Sequence, residues 1–166
     1  LYQYFELGVV NKRKSTSFGV MPIHKLEPAL HEGIFYGLDE PFWAVDSRDY
    51  QAIMPNKKKF KEIGARILCL EKNRPHIPLE RAIMAIRFTP EIVGTQFHPE
   101  ADAEGMHRYF KTEEKKQAVI TNFGEKKYHS MIEHLEDPDK IMFTESIILP
   151  NFLEHAFQQK FEIILN

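Results

Sequence analysis

His98 and Glu100 stand two positions apart in the segment Gly94-Thr95-Gln96-Phe97-His98-Pro99-Glu100, at the end of an apolar run. In an extended chain, residues i and i+2 lie on the same side. Pro99 between them stiffens the exit from the strand. An imidazole beside a carboxylate is suited to proton transfer: the ring takes a thiol proton, and the carboxylate fixes its tautomer and steadies the imidazolium. Other chemistries are open to the same pair. A His-x-Glu zinc deaminase needs a downstream Pro-Cys-x-x-Cys, and the single cysteine, Cys69, lies upstream. A zinc peptidase needs His-Glu-x-x-His or a similar helical pair, whereas His129 and His134 are five apart and do not share a helix face. Two readings therefore stand on the residues alone, half of a Cys-His-Glu acyl-transfer triad and a strand end satisfied by backbone groups. Cys69 sits in Ile67-Leu68-Cys69-Leu70 with no flanking glycine elbow, which reads as a buried strand cysteine rather than a nucleophile.

The elements that must position this pair follow from patterning. With 166 residues, 43% of them apolar, the chain can form one sizeable core. Its 22 basic and 24 acidic residues offer no electrostatic case for nucleic acid or a membrane surface. No apolar run approaches the roughly 20 residues of a membrane span, and no leader pattern is visible. A soluble cytoplasmic protein is the expectation, and one cysteine rules out an internal disulfide framework. Residues 1–7 followed by Gly8 read as the last turns of a helix. Val9-Val10 and residues 18–23 read as short strands, with the polar residues 11–17 a loop or hairpin between them. A short helix and turn is expected over residues 28–38, and residues 42–45 form a strand with Asp46-Ser47-Arg48-Asp49 the loop at its carboxyl end. The basic stretch 55–64 reads as a surface or helical turn. Residues 65–70, 82–88 and 92–97 read as consecutive strands with antiparallel neighbours. Beyond Glu100 the period shifts toward 3.6: helices are expected after Asp102, before Gly124, over the stripe Tyr128, Met131, Ile132 and Leu135, and from near Pro150.

The run from Gly94 to Glu100 resembles the histidine-glutamate signature of the class I glutamine amidotransferases, the preceding strand and the intervening proline included. Residues 12–49, with Lys12-Arg13-Lys14, Phe18-Gly19-Val20, Pro22-Ile23-His24-Lys25 and Asp46-Ser47-Arg48-Asp49, are similar to a branch often labelled as the amidotransferase part of GMP synthetase. The resemblance implies an α/β fold, a flavodoxin-like three-layer sandwich. The chain would be its C-terminal part, with antiparallel strands before the His-Pro-Glu motif and helices at the C-terminus. It implies a glutaminase: a cysteine on a sharp strand-to-helix turn attacks the side-chain amide of glutamine, forms a thioester and releases ammonia, with backbone N–H groups stabilising the oxyanion. By the same likeness His98 is the general base and acid, and Glu100 orients it. Asp46, Ser47 and Arg48 would be either a lining of the glutamine pocket or a surface turn.

The implied nucleophile precedes the region matched from Val9 onward. The expectation is therefore a single domain over residues 1–166, truncated at its N-terminus and inactive alone, whose exposed sheet edge would make it aggregate, dimerise or require the missing segment. No cofactor or metal is implied, since ATP and magnesium would belong to a partner synthetase domain or subunit. Two alternatives stay open: an acyltransferase of similar fold that acylates homoserine, and a non-enzymatic regulatory or interaction module. Residues 12–14 could face a phosphate-bearing acceptor or a synthetase, or be a solvated loop. His24, His31, His107, His129, His134 and His155 receive no role.

Overall fold

Apolar runs bounded by turn residues condense into one sheet. The computed structural model describes residues 1–165, with side chains described to residue 158. The strands are β1 (Val9–Lys25), β2 (Phe42–Ile53), β3 (Arg66–Glu71), β4 (Ile83–Thr89) and β5 (Ile92–Thr95). They lie in the order β2-β1-β3-β4-β5. Every neighbouring pair is antiparallel.

Two expected loops are strand instead. Residues 11–17 lie within β1, and Asp46 to Asp49 lie within β2. Most of these polar side chains remain exposed, and some pair across the ladder. Arg13 donates to Gln51 at 2.9 Å and Thr16 to Asp49 at 2.6 Å. The register shifts between Lys12 and Ser17, a bulge that bends the long hairpin. At the N-terminus, Phe5 N–H reaches the Leu1 carbonyl at 2.9 Å and Leu7 N–H that of Tyr2 at 3.0 Å. Gly8, at φ 152°, closes these turns where a Cβ would lie 2.5 Å from the Met54 carbonyl oxygen, so only glycine fits.

Where a short helix and turn is expected over residues 28–38, the chain forms two 3-10 segments, Glu27–His31 and Gly33–Phe35. The helices are α1 (Lys57–Ile63), α2 (Ala103–Phe110), α3 (Glu113–Phe123), α4 (Glu125–Glu136) and α5 (Ile141–Leu165). Helix α1 is capped by the Asn56 side chain, which accepts from Lys59 N–H, and ends at Gly64 with φ 73°. Helix α4 buries its Tyr128, Met131, Ile132 and Leu135 stripe as the periodicity predicts. Helix α5 starts well before Pro150 and runs through it. Its first turns are held by burial of Ile141 and Ile148 and by the Thr144 hydroxyl, which donates to the Trp43 carbonyl at 2.6 Å. That anchoring outweighs the backbone hydrogen bond a proline removes.

Strand β2 separates two cores by alternation. Phe42 and Ala44 pack with Ile34, Phe35, Leu68 and Ile148 under α5. Trp43 and Val45 pack with Val20, Tyr128, Met131 and Leu135 under the α2–α4 helices. A third cluster, including Tyr2, Leu7, Phe60 and Phe88, lies beneath the N-terminal turns and α1. Among the described residues no helix is long and apolar enough to cross a membrane.

Candidate active site

The segment after β5 is fastened one residue at a time. The Thr95 hydroxyl donates to the Phe97 carbonyl at 3.0 Å. Gln96 N–H bonds the Met84 carbonyl at 2.8 Å, and its side-chain amide donates to the Ile83 carbonyl. Phe97 is buried and packs edge-on against Phe42 at 5.4 Å between ring centroids. His98 N–H then reaches the Val45 carbonyl at 2.9 Å, forming an isolated antiparallel bridge. β2 and β5 are the two ends of the sheet order, so this bridge brings the chain leaving one end onto the other. Directly opposed residues of an antiparallel pair project from the same face. His98 therefore shares the face of Val45.

The turn at Pro99 and Glu100 returns the carboxylate to the ring. His98 Nδ1 and Glu100 Oε1 are 2.9 Å apart, with side chains 45% and 60% exposed. Burial by itself would raise the Glu100 pKa, but the hydrogen bond and charge of His98, with a backbone hydrogen bond, hold it below the ordinary value. An ionised carboxylate only accepts. Nδ1 therefore donates, and the neutral ring keeps its lone pair on Nε2, the nitrogen a base presents to an incoming thiol.

The expected trio in β2 is divided by the strand's alternation. Asp46 is 2% exposed and accepts from the Ser17 hydroxyl at 2.6 Å and from Arg48 Nε at 2.9 Å. Arg48 also donates to Glu71 at 2.8 Å, and Arg13 to the same carboxylate at 3.1 Å. Asp46 and Arg48 thus belong to a buried ionic lattice on the far face, and Ser47 is exposed. Ser47 alone of the three lies on the His98 face, two residues beyond the bridged Val45. Cys69 is fully buried in β3, and burial pushes its thiol far up from the ordinary value, which leaves it protonated and inert. Among the described residues no group of three His, Cys, Asp or Glu side chains is placed to hold a metal ion.

Two positioning residues escape sequence reasoning. Val45 acts through its carbonyl, which any residue supplies. Gln96 acts through an amide whose partner, the Ile83 carbonyl, appears only in the folded sheet.

Among solved structures, the chain is similar to a glutamine amidotransferase from Thermotoga maritima, with a TM-score of 0.60 and 16% identity over 89% of this chain and 54% of that one. It is also similar to SMU.1228c, with a TM-score of 0.53 and 13% identity over 89% of this chain and 55% of the other. The chain spans about half the length of these structures. No protein-family model and no curated protein sequence matches it. The fold is an α/β fold of the glutamine amidotransferase-like kind, and at this identity the likeness is one of fold.

Proposed function

We propose that His98 and Glu100 are the base and the orienting carboxylate of a class I glutamine amidotransferase. The observation that carries this reading is the accessible Nδ1 to Oε1 pair at 2.9 Å, set at the end of a strand in a fold shared with a glutamine amidotransferase. His98 Nε2 takes the proton of a cysteine thiol, and the sulfur attacks the side-chain carbonyl carbon of glutamine. The C–N bond then breaks, with the imidazolium returning its proton to the departing ammonia. Water, deprotonated by the same nitrogen, cleaves the thioester to glutamate. Burial disqualifies Cys69 as that thiol, so the nucleophile belongs to polypeptide outside these 166 residues. Ser47 lines the glutamine site. The ammonia passes to an ATP-dependent synthetase, with GMP formation the favoured acceptor reaction on the likeness of residues 12–49.

Full-length protein is expected to release glutamate from glutamine, and His98→Ala to lower that turnover by about 10²–10⁴-fold. Unchanged turnover in the variant would reject the assignment. Thioester formation from an acyl-coenzyme A, with none from glutamine, would instead place the pair in an acyltransferase.

A further inference from the structure

The basic run Lys12-Arg13-Lys14 divides on folding. Lys12 and Lys14 stay in solvent, while the Arg13 side chain turns inward and is only 9% exposed. Its Nη1 donates to Gln51 and Glu71, but its buried Nε has no hydrogen-bond partner among the described residues. Arg13 lines a cleft of about 280 Å³. The cleft lies along the part of β1 that β3 leaves uncovered, because β3 pairs with β1 only at Ile23, His24 and Lys25.

Lys72 and Arg74, from the segment after β3, and Lys127, from α4, line the same cleft. Its two carboxylates are already occupied. Asp46 accepts from Ser17 and Arg48, and Glu71 accepts from Arg13, Arg48 and Arg74. Among the described residues neither Lys72 nor Lys127 has a carboxylate within ion-pair distance. Lys72 Nζ meets only the Met21 sulfur, at 3.8 Å, and Lys127 Nζ lies against Gly19. Burial and the nearby Lys72 charge push the Lys127 ammonium down from its ordinary value, offset in part by Asp46. Lys72 and Lys127 thus place two like charges at one concavity with no carboxylate paired to either, and an anion held there would meet both.

We propose that this cleft binds a phosphate monoester. Donors converge on it from three separate segments, a match to a dianion with three acceptor oxygens rather than to a planar carboxylate. The wall beside these cations holds Phe18 and Phe123, stacked at 4.4 Å and 9°, an apolar surface for the organic group of the ester. None of His98, Glu100 and Ser47 lines the cleft, so the site stands independently of the glutaminase reading.

Titration calorimetry on the full-length protein with inorganic phosphate, phenyl phosphate and benzoate tests it. Phenyl phosphate is expected to bind more tightly than phosphate, with benzoate not binding. Lys72→Gln and Lys127→Gln are each expected to weaken phenyl phosphate by about tenfold, the loss of one charge-assisted contact, with unchanged unfolding midpoints because neither lysine belongs to the buried lattice. Absence of phosphate and phenyl phosphate binding, benzoate binding as tight as phenyl phosphate, or full affinity in both variants would overturn the proposal. Phosphate binding as tightly as its phenyl ester would remove the ester from it.

Discussion

Strand β2 carries a charged cluster toward each face, and the two are built from the same kinds of groups to different ends. On one side Asp46 and Arg48 join Arg13 and Glu71 in a lattice whose members are each less than a tenth exposed. On the other, His98 and Glu100 form a single pair open to solvent. In the lattice each carboxylate accepts from two or more donors, so desolvation is offset by hydrogen bonding and both are held as structural acceptors. The exposed pair contributes little to stability. Both side chains stay open to solvent, at 45% and 60% exposed, as the proposed proton transfer requires of the imidazole.

Removing one lattice member is expected to have the largest effect. Glu71→Ala should destabilise by about 3–5 kcal/mol, because it strands buried guanidinium groups. A shift in urea midpoint corresponding to less than about 1 kcal/mol would show the lattice to be screened like a surface pair. Burial would raise the Glu71 pKa, but Arg13, Arg48 and Arg74 together lower it below 4.5. Its contribution is therefore present above that ordinary value and is lost as pH falls through the depressed folded value. Wild type should lose stability on acidification through that range, and Glu71→Ala should lose less.

Across the strand, and on the proposed function, Glu100→Gln is expected to lower glutamine turnover by about 10²-fold or more in protein that carries the nucleophile, while stability stays within about 0.5 kcal/mol. Equal losses in folding and turnover would erase the distinction between the clusters. Cys69→Ala should have the smallest effect, leaving turnover unchanged and costing about 1–2 kcal/mol of stability from the small cavity in the core. Loss of turnover there would return Cys69 to the chemistry.

The contrast also explains what could be read from residue order. The pairing of His98 with Glu100 could be read because the turn that joins them is local. The apolar runs behind β3, β4 and β5 were legible as short hydrophobic stretches bounded by turn residues, β4 being buried on both faces, and the Tyr128 to Leu135 stripe because it buries one helix face. Residues 11–17 and Asp46 to Asp49 were misread as loops because a largely exposed polar run looks the same in a loop as in a solvent-facing hairpin, and only its cross-strand partners reveal the strand. Asp46, Ser47 and Arg48 then split between faces, which a loop assignment hides. Lys12-Arg13-Lys14 reads as one charge run in sequence, yet strand alternation gives its middle residue a different environment. Pro150 looked like a helix start because the side chains that hold the preceding turns of α5 pack against distant strands and the 3-10 segments.

The bridge from His98 N–H to the Val45 carbonyl stands alone, with no further rung beside it. Such a contact can open without disturbing the ladders on either side, so the His98 amide is expected to exchange with deuterated solvent far sooner than the amides of β4 at the sheet's interior. The imidazole is thus mounted on a rung that breathes separately from the fold. On the proposed function, the fraction of time that rung is closed would bound how often the ring is aligned to react.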